Sequence, residues 1–159
     1  FCLSHPEVHT LSIGVSKPED FDLHLEAVEL LEQAPDLLPE IEARLDSAME
    51  DAVGKEWMET WKQGLPEWYD TPGEINMPWI LRLRNLVLAY DMVEFGKMRY
   101  NLLGNGGHWF PGNKADKLAE VDLRACLQNS PHAAAIPQYL AETHEWLAGE
   151  ERKRLQQDE

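Results

Sequence analysis

Only one short run of this chain reads as a strand, and that limits what it can fold into. Val8-His9-Thr10-Leu11-Ser12-Ile13 has the strand pattern, and no second strand pattern follows it. A strand needs hydrogen-bonded neighbours, and a single one builds no sheet. From Pro18 onward apolar residues recur at helical spacing, so most of the chain is confined to helix packed on helix. The strand, the turn at 14–17 and the first helix read as the closing unit of a larger fold. The chain is therefore expected to be part of a longer protein.

The helical pattern has clear punctuation. Ser16 is an N-cap candidate, with Pro18 near the first helical position and Glu19 as the reciprocal member of a capping box. Phe21, Leu25, Val28 and Leu30 or Leu31 form the apolar stripe of that helix, which Ala34-Pro35 ends. Asp36 caps a second helix, with Leu38, Ile41, Leu45, Ala48, Met49, Ala52 and Val53 on one side and Trp57 and Trp61 extending it. Residues 62–77 read as a loop. Asn76 then caps a strongly apolar helix with Pro78 in its first turn, and a further helix follows Asp91. Two more helices are expected around 114–128 and 137–157. The glycine-rich segment 104–112 reads as an interhelical connection in which Trp109 and Phe110 seal the core.

The 159 residues, 43% of them hydrophobic and six of them tryptophan, suffice for one domain with a core. The net charge of −15 excludes some partners. Over residues 19–59 the acidic side chains are opposed only by Arg44 and Lys55. Such a surface repels phosphate backbones and anionic lipid, so neither nucleic acid nor membrane is expected as a partner. It is a solvated helix face or a docking surface for a basic protein. No apolar run is long enough to cross a bilayer. Ser4, His5, Glu7 and His9 interrupt the apolar centre a signal peptide needs. Two cysteines define no disulfide framework, and a cytoplasmic setting is the simplest expectation.

Motifs with direct chemistry are scarce. Residues 104–112 lack the spacing and the lysine of a phosphate loop. No His-x-x-x-His pair lies on one helix face, and no Cys–His cluster has zinc spacing. His144 reads as a helix-surface residue, and Cys126, beside Leu123 and Leu127, as a structural thiol.

Ile13-Gly14-Val15-Ser16-Lys17-Pro18-Glu19, followed by Leu25-Glu26-Ala27-Val28, resembles the end of the barrel in the aldo/keto reductase family. There the last strand leads into a loop and helix that hold the adenosine phosphate of NADP. The resemblance implies that Gly14, Ser16 and Lys17 form one edge of a cofactor site, since a helix N-terminus with a lysine nearby suits a phosphate. The family often carries an arginine where this helix has Asp20, and a Glu-Asn pair where it has Leu23-His24.

The remainder resembles the carboxy-terminal extension of an iron–sulfur-associated branch of that family, a helical ferredoxin-like module with two cysteine motifs. Thr71-Pro72-Gly73-Glu74-Ile75-Asn76-Met77-Pro78 is similar to the run after the first motif, and the segment from Ser130-Pro131 to Ile136-Pro137 to the end of the second. The cluster-ligand positions are occupied by Trp61, Gly64, Glu67 and Thr71, then Glu120, Leu123, Cys126 and Ser130. One thiol among eight positions holds no cluster, so no iron–sulfur centre is expected, and Trp61, Trp68, Tyr69 and Trp109 are expected to fill the space.

The resemblance thus implies an all-α fold: a multi-helix, ferredoxin-like bundle without clusters over 35–159, preceded over 1–34 by a remnant strand and helix from the end of a TIM barrel. It implies the C-terminal part of an NADP-dependent oxidoreductase that is not catalytically competent alone. The family's catalytic positions lie outside this sequence, NADP binds only in the intact parent, and the missing barrel is the first partner. The alternative is a non-catalytic helical module for protein interaction or structural support, with its partner at the acidic face.

Overall fold

The computed structural model describes residues 1–34, 36–104 and 111–149. Six α-helices lie within them: α1 (Asp20–Gln33), α2 (Leu37–Val53), α3 (Lys55–Thr60), α4 (Met77–Tyr90), α5 (Val93–Tyr100) and α6 (Ile136–Leu147). Short 3₁₀ turns occupy Cys2–Ser4, Trp68–Asp70, Pro72–Glu74 and Ala115–Glu120. The chain divides into two compact units, Phe1–Ser47 and Ala48–Glu159.

The all-α class holds, but the fold expected in full does not. Among the described residues there is no strand. Residues 8–13 have no ladder partner, and the nearest thing to a sheet is one isolated bridge between Ile75 and Asn113. A strand pattern with no neighbour to accept its hydrogen bonds stays as irregular chain. Residues 114–128 are not an α-helix either. They form the 3₁₀ segment, an extended residue at Val121 and a series of turns. The ferredoxin-like bundle with a remnant barrel strand ahead of it is therefore not the fold that forms.

In the C-terminal unit the core is built on α4. Asn76 caps it through a hydrogen bond from the Trp79 N–H to Oδ1 (3.1 Å), and Pro78 sits where a helix has no use for an amide hydrogen. Met77, Ile80, Leu81 and Leu83 are fully buried. Each such side chain contributes about 1.5–3 kcal/mol of transfer free energy. Asp91, in a left-handed conformation, ends the helix. α4 packs on α5 and α6, and α6 packs on α5 and on the 3₁₀ segment at 115–120. Pro137 opens α6 as the pattern suggests, and Ile136, Leu140 and Leu147 reach the core. α6 ends at Leu147, with Ala148 extended, short of the expected end at 157. The expected continuation beyond 149 lies outside the described residues, as do Trp109 and Phe110.

Two joints depend on glycine or a long-range polar bond. Gly54, at φ +84, separates α2 from α3, so Trp57 belongs to a new helix and turns inward instead of extending the α2 stripe. Tyr100, fully buried, accepts the Ala115 N–H (3.0 Å) and pairs with His144 Nδ1 (2.7 Å). With the phenol donating to Nδ1, one hydroxyl ties α5, the 3₁₀ segment and α6 together. Burial raises its proton affinity well above the ordinary phenol value, with the Ala115 amide opposing. Tyr100→Phe should cost about 1–3 kcal/mol in urea denaturation, because it orphans a buried amide. A loss below about 0.5 kcal/mol would show that water replaces the bond.

Candidate docking face

The N-terminal unit has no buried residue in any of its helical segments before 48. Leu31, Leu37 and Leu38 are half-buried, whereas Phe21 is 57% and Leu23 and Leu25 are each 62% exposed. In α1 the spacing Phe21, Leu25, Val28 makes one apolar stripe, and Leu23, Ala27, Leu30 makes a second. The stripe predicted from the sequence is thus real as a pattern but turned to solvent.

The second stripe borders a groove. Ala27, Leu30 and Leu31 of α1 face Leu37, Leu38 and Ile41 of α2 across an open space of about 520 Å³. Phe1 lines the same groove and stacks edge-on against His5, with centroids 4.8 Å apart. No charged or hydrogen-bonding side chain is among the lining residues. Over residues 19–47 acidic residues outnumber Lys and Arg by ten to one. The face is apolar in its groove and acidic along its helices.

Gly14, Ser16 and Lys17, the expected cofactor edge, lie just ahead of α1. All three are exposed. The amides of Ser16 and Lys17 donate to one oxygen of Asp20, at 2.8 and 3.2 Å. The capping box is thus rearranged. Glu19 is the N-cap residue and makes no side-chain cap, while Asp20 reaches back to the two preceding amides. A phosphate at these amides has to displace the Asp20 carboxylate. Gly14 has no heavy atom within 4 Å of where a Cβ would stand.

In the C-terminal unit the eight positions at which the resemblance places cluster ligands are spread between core and surface. Trp61 packs half-buried against the core; Thr71, Leu123 and Ser130 are buried; Glu67 and Glu120 are exposed. Gly64 abuts the second segment, where an added Cβ would lie 2.2 Å from the Asn129 carbonyl oxygen and 2.8 Å from the Ser130 nitrogen. Trp68 stacks edge-on against Tyr69, but Tyr69 is itself exposed and fills no interior space. Among the described residues no three His, Cys, Asp or Glu side chains gather as a ligand set. A polar cleft of about 520 Å³, lined by Gly73, Ile75, Asn113, Lys114, Asp116 and Lys117, has no Ser, Thr, Cys or His among its described lining residues.

Cys126 is half-buried, and its thiol reaches the Leu123 carbonyl at 3.2 Å. Burial raises its pKa above the ordinary thiol value. The folded chain therefore holds this proton more tightly than the unfolded one. The associated stability is fully present below the unfolded thiol value, about 8.5, and is lost as pH rises through the folded value. At pH 8 the exposed Cys2 is expected to react with a thiol reagent about tenfold faster than Cys126, the gap closing in denaturant. Equal rates in the native protein would contradict the burial.

A polar cluster inside the same unit escaped the sequence reading. The Trp57 Nε1–H donates to Asn85 Oδ1 at 2.8 Å, both residues being buried. The Trp57 ring meets Tyr139 edge-on and His132 at a tilt. Arg84 lies over the Tyr139 ring, 3.7 Å from its centre, with Glu142 3.6 Å away. Burial pulls Arg84 below its usual value, and Tyr139 and Glu142 oppose that shift. The available signal was Asn85 itself, a polar residue within the most apolar helix. His144, expected on the surface, is half-buried against Tyr100. These contacts join α3, α4 and α6, although the buried Arg84 Nε has no hydrogen-bond partner among the described residues.

No protein-family model, curated protein or solved structure matches the chain. Among the described residues no helix is long and apolar enough to cross a membrane.

Proposed function

We propose that this chain is a non-catalytic helical module for protein interaction. The C-terminal unit is a packed scaffold and the N-terminal unit is the docking element. One observation carries the reading. Among the described residues, every large hydrophobic side chain exposed to solvent except Tyr69 and Leu88 lies within residues 1–47. Apolar patches of that kind, rimmed by charge, mark interaction surfaces. Scattered single exposures would need no explanation, but here they recur along both stripes of one helix.

The reading is tested with a photo-crosslinking side chain placed at Leu25 or, as a control, at Leu88 on α4. Crosslinks to another protein are expected from position 25, absent from 88, and weakened by 0.5 M salt. Equal crosslinking from both positions, or none from 25, would reject the docking role.

The resemblance to the aldo/keto reductases supplies a second reading, in which the chain is the C-terminal part of an NADP-dependent oxidoreductase and works only with its barrel. In its favour, the Ser16 and Lys17 amides converge on an anionic oxygen, as amides that hold a phosphate do. It expects no NADPH binding by this chain alone, and micromolar affinity in calorimetry would overturn it.

A further inference from the structure

The groove in the N-terminal unit is specific enough to name its occupant. Its walls are aliphatic except for Phe1, with Leu30 and Ile41 still substantially exposed at its rim. A polar small molecule needs a few convergent polar groups for orientation, and no side chain of the lining supplies one. An extended peptide that binds by strand addition needs a sheet edge for its backbone, and the described residues among 1–47 contain no strand. A helix needs neither, because it satisfies its own backbone and brings only side chains to the contact. The wall from Ala27 to Leu31 and on to Ala34 is about two helical turns, about 11 Å long. That length accommodates anchors at i, i+4 and i+7.

Charge selects among helices. With ten acidic residues against Arg44 over 19–47, a second copy of this face or an anionic lipid surface meets like charge. A cationic helix meets the opposite. We propose that the groove between α1 and α2 receives one amphipathic helix of a partner protein, with leucine-class anchors on one face and lysine or arginine on its flanks. This rests on the interaction-module reading and specifies its partner.

The test uses the full chain and three fluorescent 14-residue peptides. One is an amphipathic Leu/Lys helix, one its Leu/Glu counterpart, and one a scrambled Leu/Lys sequence of the same composition. Anisotropy at 0.15 M salt should show the amphipathic cationic peptide binding at least tenfold more tightly than either control. Leu30→Asp should remove that preference, whereas Leu88→Asp should leave it. Glu26→Lys with Glu29→Lys should weaken it about tenfold. Amide shifts on peptide addition should fall on α1 and α2. Equal binding of the Leu/Glu peptide overturns the charge assignment, and equal binding of the scrambled peptide overturns the groove. Self-association through Leu30, or uptake by anionic vesicles without peptide binding, also overturns the proposal. If no peptide binds but crosslinks from position 25 persist, only the helix-in-groove inference fails. If both are absent, the interaction reading fails with it.

Discussion

Gly64→Ala is expected to destabilise the C-terminal unit by about 3 kcal/mol, the largest effect expected of alanine at any described glycine. Two costs add. The residue has φ +69, a left-handed backbone that carries a penalty of roughly 1–2 kcal/mol for any side chain. Its Cβ would also stand 2.2 Å from the Asn129 carbonyl oxygen, so one backbone segment must move off the other. The obstacle is main chain, which has no rotamer to change, and Ser130 just beyond it is buried. Urea denaturation followed by tryptophan fluorescence reads the loss, since Trp57 and Trp61 belong to this unit. Gly14→Ala is the matched control. Nothing lies within 4 Å of its added Cβ, and its effect should stay within about 0.5 kcal/mol. A Gly64→Ala loss below about 1 kcal/mol would mean that the 64 and 129 segments are not held together.

The sequence was most readable where independent signals agreed. For α4, an asparagine cap, a proline in the first turn and dense apolar spacing all point to one start, and the helix begins there. Pro137 did the same for α6. Residues 114–128 show the opposite case. Leu123 and Leu127, four residues apart beside Cys126, imitate helical spacing, but Asp122 accepts the Arg124 N–H at 3.0 Å. An aspartate bonded to the amide two residues on stabilises a turn in competition with helix. The strand pattern at 8–13 failed for want of a partner, which local pattern does not report. The pairs that organise the core, Tyr100 with His144 and Trp57 with Asn85, join distant positions, so periodicity does not find them.

The proposed docking face was half visible. Its acidity could be counted directly from the residues. Its exposure could not, because Phe21, Leu25 and Val28 at helical spacing read as a buried stripe. Periodicity shows that a face is apolar, not that this chain itself covers it. The same limit applies to Gly14, Ser16 and Lys17. Their residue types suggested an anion site, whereas the carboxylate that meets two of their amides is the chain's own Asp20.

Backbone amides of α1 are expected to exchange with solvent deuterium roughly 10³ times faster than those of central α4, after correction for intrinsic rates. Exchange from a helix without buried side chains requires only local opening, because little apolar contact is lost when its hydrogen bonds break. α1 is such a helix, with no buried residue along its 14 positions. Met77, Ile80, Leu81, Leu83 and Asn85 of α4 are all buried, so its amides exchange only through opening that approaches global unfolding, about 5 kcal/mol or more. The cationic amphipathic peptide should slow exchange in α1 and the first half of α2 by at least tenfold, and leave α4 unchanged. Binding that covers Leu30 and Ile41 supplies the apolar contact that local opening must then break. If α1 without peptide exchanges as slowly as α4, its apolar stripes are already covered in solution. The groove would then have no vacancy to offer, and the acidic surface would act only as a solvated face.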